Sequence, residues 1–136
     1  MIVLDCSAAV EMVRGTELGG AFRQLLLEGE RAISTELFEA EVRNVFWKYA
    51  RAGWCTPDRA RLLACDATAL VDEFIGIGEN AAESLGEALR QDHSVYDMFY
   101  VTLARRNAAT LLTADRRLMG LCERMGVECV AEVPLA

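Results

Sequence analysis

Short apolar runs alternating with longer amphipathic stretches narrow the folds open to this chain more than any other feature. Residues 2–5 (IVLD), 31–34 (RAIS), 110–113 (TLLT) and 127–130 (VECV) are the short runs. A run of that length without polar alternation suits a strand covered on both faces. Strands separated by helices predict a parallel sheet. Between the runs, Ser7 is placed to cap a helix over 8–13, and a second helix runs from Thr16 to Glu28 and stops at Gly29. A long helix over 36–51 closes at Gly53. Thr56-Pro57-Asp58 joins an N-cap, a proline at the first helical position and an acid in the first turn, and predicts a helix reaching about Phe74. The stretch 75–78 (IGIG) admits either a short strand or a loop. Glu79 to Gln91 reads as a helix, Ser94 caps another over 95–108, and a last one covers 116–125.

The 136 residues suit one domain over 1–136, with 53% hydrophobic residues to fill its core. A chain of that size buries roughly two-thirds of the surface it exposes when unfolded, so neither disulfides nor a structural metal is required. No apolar run is long enough for a membrane span, and the start MIVLDCS lacks the basic region and long apolar stretch of a signal peptide. These features predict a cytoplasmic protein with no membrane partner. The five cysteines agree, being odd in number and without C-x-x-C spacing. With His93 the single histidine, structural zinc is not expected.

The formal charge of −7 argues against a protein that coats nucleic acid non-specifically, which needs many cationic contacts to phosphate. It leaves room for an enzyme that cuts nucleic acid. Lys48 is the single lysine, and arginine, whose planar fork fits phosphate, supplies the other basic residues. Arg105, Arg106, Arg116 and Arg117 are candidates for phosphate contact, or else belong to solvated helix faces. Among the aromatic residues, Phe46 and Tyr49 fit a core position, while Trp47 lies off the apolar stripe and is expected to be exposed.

Four acids carry the chemical signal. Asp5 and Asp115 each follow a strand and open a helix, where ligands bind in open α/β sheets and where Asp also serves as an N-cap. Glu41 projects between Leu37 and Val45, on the apolar side of its helix, with no basic residue three or four positions on. An unpartnered inward carboxylate is costly unless a cation or hydrogen bonds compensate. Asp97 faces inward from a helix apolar almost all round, although Ser94-Val95-Tyr96-Asp97 also has capping-box spacing. Each acid alone has a structural explanation. Together, two at strand ends and two facing inward are hard to place in a stable core unless they meet around a cation. All-oxygen ligands suit Mg²⁺ or Mn²⁺. Ser7 and Thr113 can supply hydroxyls to the carboxylates or can be turn residues. His93 reads as a loop residue.

The segments IVLDCSA, FEAEVRN, YDMFYVTLA and LLTADRRL resemble, in order and spacing, the four acidic motifs of VapC-type PIN-domain ribonucleases, and the likeness covers almost the whole chain. The resemblance implies a Rossmann-like α/β/α sandwich with a central parallel sheet. It implies that Asp5, Glu41, Asp97 and Asp115 hold Mg²⁺ or Mn²⁺ for RNA cleavage, with Ser7 and Thr113 in support. Asn44 corresponds to a structural asparagine of the family. Cys6, where Ala or Thr is more usual, is a departure that leaves the ligand set in place. The resemblance also implies a toxin that forms homodimers and is held by a small antitoxin.

Other readings fit less well. A haloacid-dehalogenase-type phosphotransferase needs an Asp at the position of Ser7, and a receiver-like domain needs a late lysine. A catalytically silent PIN-like interaction module, or a metal-dependent nuclease without an antitoxin, stays open at this stage.

Overall fold

The computed structural model describes residues 1–131. Its elements are β1 (Ile2–Leu4), α1 (Cys6–Arg14), α2 (Glu17–Leu27), β2 (Ala32–Thr35), α3 (Leu37–Arg51), α4 (Pro57–Ala69), β3 (Glu73–Ile75), a 3-10 turn (Ile77–Glu79), α5 (Ala81–Gln91), α6 (Val95–Arg106), β4 (Thr110–Leu112), α7 (Arg116–Met125) and β5 (Cys129–Val130). The five strands form one parallel sheet in the order β3-β2-β1-β4-β5. In the register of its centre, Val3 lies between Ile33 and Leu111. Among the described residues, no helix is long and apolar enough to cross a membrane.

Chain direction explains the layers. From β1 the chain steps outward to β2 and β3, then returns across the sheet to β4 and β5. Crossovers between parallel strands are right-handed in nearly all proteins, so reversing the step moves the connecting helices to the other face. In agreement, α1, α2, α3 and α4 pack among themselves, and α6 packs against both α5 and α7. The result is the three-layer α/β/α sandwich that the resemblance implies, built on the parallel sheet expected from the alternation of elements. Strand order reverses between β1 and β4, and a crevice at their carboxyl ends is the usual ligand position in such sheets. Asp5 and Thr113 are the residues that follow those two strands.

Burial follows the apolar pattern. Val3, Leu4, Phe22, Phe38, Leu111 and Leu112 have no exposed surface. Phe46 is also core, Tyr49 is half-buried and packed against the core, and Trp47 is 53% exposed, as its place off the stripe predicts.

Several boundaries differ from the sequence-based expectation. Helix α1 starts at Cys6 with Asp5 at the N-cap position, so Ser7 lies inside the helix instead of capping it. Ser7 uses its hydroxyl elsewhere, as described below. Helix α4 ends at Ala69, short of Phe74, because the next residues pair with β2: the Asp72 amide donates to the Ala32 carbonyl (2.8 Å) and the Asp72 carboxylate accepts from the Ala32 amide (2.8 Å). Strand β3 therefore takes residues 73–75, and the rest of the undecided IGIG stretch becomes a 3-10 turn. The last strand is confined to 129–130, since the Val127 amide closes the end of α7 on the Cys122 carbonyl (2.9 Å).

One contact was not readable from local pattern. Helices α1 and α2 approach so closely that a Cβ on Gly19 would lie 2.0 Å from the Glu11 carbonyl oxygen. Thr16 fixes the approach, accepting from the Gly19 amide (3.0 Å) while its hydroxyl donates to the Glu11 carboxylate. The obstacle is backbone, which cannot swing aside. Gly19→Ala is expected to lower stability by about 3 kcal/mol, the upper part of the range for overpacked positions. Urea unfolding checks this, and a loss below about 0.5 kcal/mol would mean that the helices separate freely.

Candidate functional site

Asp5 lies at the carboxyl end of β1, 6% exposed, with its backbone amide donating to Leu112 of the adjacent β4 (3.0 Å). Two hydroxyls converge on its Oδ2: Ser7 from the first turn of α1, and Thr113 from the end of β4 (2.7 Å). Each hydroxyl has one proton. With both directed at Asp5, the hydroxyl oxygens accept from backbone amides, Ala114 N–H to Ser7 Oγ (2.9 Å) and Asp115 N–H to Thr113 Oγ1 (3.0 Å). Sequence reading left Ser7 and Thr113 open as hydroxyl donors to the carboxylates or as turn residues. The structure adds that they tie the β1 and β4 ends together and orient one carboxylate.

Glu41 comes from the second turn of α3, at the border of the core. The Tyr100 hydroxyl donates to its Oε1 (3.2 Å). Tyr100 is 1% exposed and sits one turn beyond Asp97 on α6, so the helix carrying the third acid also orients the second. In the sequence Tyr100 is one more residue of a helix apolar almost all round. A buried tyrosine needs a partner for its hydroxyl, but the partner is 59 positions away and no local rule identifies it.

Asp97 occupies the first turn of α6, where the helix dipole favours negative charge. The capping box does not form in its expected way. Ser94 accepts from the Tyr96 amide (3.3 Å), while the Asp97 carboxylate lies 3.6 Å from Nε2 of His93. His93 is in a loop, as expected, but it belongs to the surroundings of the third acid.

Asp115 is the N-cap of α7, accepting from the Arg117 amide (2.9 Å), with the Arg117 guanidinium 3.6 Å from its carboxylate. Its N-cap role is thus satisfied, and its charge acts on Asp97.

The four acids sense one another. Burial, and then the other carboxylates, push the Glu41 carboxyl up to about 7, with the Asp5 charge the larger electrostatic cause, while the Tyr100 hydrogen bond works the other way. Asp5 is raised above the usual carboxylate range, first by burial and against the pull of Ser7 and Thr113, with the Asp97 charge adding to the rise. Asp97 is raised by burial, then lowered by His93, raised by Asp115 and lowered by Arg117. Glu41, Asp5, Asp97 and Asp115 are therefore interacting like charges drawn from four elements. Among the described residues, no three His, Cys, Asp or Glu side chains close to the spacing of a finished coordination shell. Repulsion between like charges acts in that direction. As a donor set, the group fits a hard divalent cation: the available donors are carboxylate oxygens, and Asp5, Glu41 and Asp97 are each held where nearby positive charge would favour the ionised form.

Tyr100→Phe is expected to raise the Glu41 pKa further, because a hydrogen bond to the charged form lowers it. A carboxyl NMR titration reads the shift directly. A midpoint that stayed in place or fell would remove Tyr100 from this role.

Two of the arginines nominated for phosphate contact are committed elsewhere. Arg105 pairs with Glu83 and with Glu87 (3.1 Å), and Arg106 donates to the Glu79 carbonyl, which ties α6 to α5 and the 3-10 turn. Arg117, in the first turn of α7, remains beside the acids.

The sequence model of the family described as PIN domain matches residues 2–123. Ribonuclease VapC3 of Pyrobaculum aerophilum is 27% identical over 119 residues, covering 86% of this chain and 91% of that protein. Among solved structures, PAE2754 from Pyrobaculum aerophilum superposes with a TM-score of 0.72 at 21% identity, over 88% of this chain and 84% of its own. VapBC2 from Rickettsia felis, bound to a DNA fragment from its promoter, gives 0.69 at 14% identity, over 96% and 98% of the two chains. At those identities the superpositions establish a shared fold.

Proposed function

The chain belongs to the PIN-domain family, and on that premise we propose that it is a divalent-metal-dependent endoribonuclease, the toxin of a toxin–antitoxin pair. The observation that carries this reading is the set of interacting carboxylates Asp5, Glu41, Asp97 and Asp115 at the carboxyl-end side of the sheet, three of them raised by burial and by neighbouring carboxylates. Stable cores do not bring like charges together without compensation. The similarity to a relative named as a ribonuclease supports RNA as the substrate.

Asp5, Glu41, Asp97 and Asp115 would hold Mg²⁺ or Mn²⁺. When bound, the ion supplies a water of lowered pKa and neutralises charge on the scissile phosphate. The protein's own residues do the positioning. Ser7 and Thr113 present the Asp5 carboxylate from one side. Tyr100 orients Glu41. Arg117 balances part of the negative charge at Asp115 and offers a guanidinium to the RNA backbone at the rim. His93 restrains Asp97.

The partner assignment draws on the VapBC2 structure, in which a protein of this fold is part of a complex on promoter DNA. A small antitoxin covering the crevice and a homodimer of this chain, both acting in the cytoplasm, complete the proposal.

The test is cleavage of a panel of structured RNAs by antitoxin-free protein in Mg²⁺ or Mn²⁺, with EDTA as control. Cutting that stops on chelation supports the reading. Folded protein that binds metal and leaves every RNA intact favours a PIN-like interaction module instead.

A further inference from the structure

At the far ends of α1 and α3 from the acids lies a cleft of about 350 Å³ whose walls include Arg14, Tyr49, Trp54 and Arg59. We propose that this cleft is a second nucleic-acid subsite, in which Trp54 stacks on a base of single-stranded RNA while Arg14 and Arg59 hold the flanking phosphates. The proposal deepens the ribonuclease reading and rests on RNA being the substrate.

Three features point to that ligand. The first is an open aromatic face. Trp54 is 73% exposed, although its ring meets Tyr49 edge-on, with centroids 5.2 Å apart. A tryptophan braced at its edge and open to solvent is a platform for a base, and such stacking accepts any base.

The second is cation placement. In a chain with 21 acidic and 14 basic residues, most pairings open to an arginine involve a carboxylate. Arg14 instead lies over the Tyr49 ring, 5.3 Å from its centroid. Arg59 has no carboxylate partner among the described residues, and nearby Asp58 is taken by Arg61 (2.8 Å). Arg14 in the last turn of α1 is favoured by the helix dipole. Arg59 is not, because it stands in the first turn of α4, where positive charge is disfavoured. An anion in the cleft relieves that cost and engages both guanidinium forks.

The third is distance. Arg14 is nine residues along α1 from Asp5, about 13 Å at the helical rise. Tyr49 is eight residues along α3 from Glu41, about 12 Å. At 3.4 Å per stacked nucleotide, about four nucleotides separate the cleft from the carboxylates. The acids repel a polyanion, so a basic, aromatic site at that distance holds the strand where the catalytic end cannot.

The experiment uses Trp54 as its own reporter. In a Trp47→Phe background, which leaves Trp54 the single tryptophan, a 12-nucleotide oligouridylate is titrated in EDTA while Trp54 emission is followed. Quenching that saturates is expected, with affinity falling about tenfold in Trp54→Ala (read by anisotropy of labelled oligouridylate) and in the Arg14→Gln/Arg59→Gln pair. In that pair the plot of log affinity against log salt should also become shallower by about 1.4, from two lost phosphate contacts on a single strand. All three side chains are solvent-exposed or half-exposed, so a fold defect is not expected, and circular dichroism checks it. Unquenched Trp54, or an unchanged affinity and salt slope, overturns the subsite. So does quenching by an acidic peptide in place of RNA, or by concentration-dependent self-association. Cleavage in Mg²⁺ is scored on the same preparation. Cutting without quenching overturns the subsite alone, whereas quenching without cutting overturns the nuclease reading alone.

Discussion

Asp5→Asn is expected to abolish RNA cleavage, by about a thousandfold or more, and at the same time to raise the melting temperature of the metal-free protein. Both effects come from one property. Asp5 is a carboxylate 6% exposed, and burial and the Asp97 charge hold its pKa above the ordinary range. Asparagine keeps an oxygen to accept the Ser7 and Thr113 hydroxyls but carries no charge. The metal-free fold is thereby relieved of like-charge repulsion and of a poorly solvated anion. A gain in the usual range for such relief is about 1.5 kcal/mol, or about 5 °C for a chain of this size. On the proposed reading catalysis loses a metal ligand, and removing one member of a set of residues that act as a unit costs nearly all of the activity. Asp97→Asn should show the same loss of cleavage. Calorimetry and a cleavage time course on the same samples check the pair of outcomes. A variant that loses both activity and stability would mean that Asp5 is a structural residue whose removal damages the fold, and the assignment of the site would fall with it.

The second large effect is the joint dependence of stability on pH and Mg²⁺. Glu41 has a folded-state pKa of about 7, and Asp5 and Asp97 are raised as well. A carboxyl with a raised folded-state pKa binds its proton more tightly in the native chain than in the unfolded one. Stability therefore falls with rising pH wherever the native state holds the extra proton. For Glu41 that window opens near the ordinary glutamate value and closes near pH 7. The melting temperature of metal-free protein should fall between pH 5 and pH 7 and level off above it, and Glu41→Gln should flatten the fall. Mg²⁺ competes with the protons, so its affinity should climb over the same interval as protons are released. At a hundred times its dissociation constant, the ion adds about 2.7 kcal/mol, or about 9 °C here. Thermal scans from pH 5 to pH 8, with and without Mg²⁺, contain the whole prediction. A metal-free stability that rises across the interval, or Mg²⁺ that stabilises equally at both ends, would separate these acids from the metal.

The four acids stood out as candidates in the sequence through their combination, each having a local explanation of its own. Glu41 breaks the apolar stripe of α3, Asp97 stands on a helix apolar almost all round, and Asp5 and Asp115 follow strands and open helices. Element order was legible because apolar spacing and capping residues such as Thr56 act within a few positions along the chain. What those rules lack is the partner. The amphipathic pattern past Ala69 is compatible with more helix, and the chain leaves it because Asp72 meets Ala32 across the sheet. Arg105 and Arg106 were open as phosphate contacts or as residues of a solvated helix face until α5 packed against α6 and brought Glu83, Glu87 and the Glu79 carbonyl to them.

By itself, then, the sequence determined the alternation of strands and helices and the parallel sheet, and it singled out four acids as candidates, all from properties of a residue and its near neighbours. Only the tertiary structure decided that Tyr100 serves Glu41, that Gly19 must have no side chain, that Ser7 and Thr113 share one carboxylate oxygen, and that Arg14 and Arg59 face one cleft beside Trp54. Those are meetings between residues far apart in the chain. Sheet register and helix packing set them, and no periodicity in the sequence encodes which side chain will be opposite which.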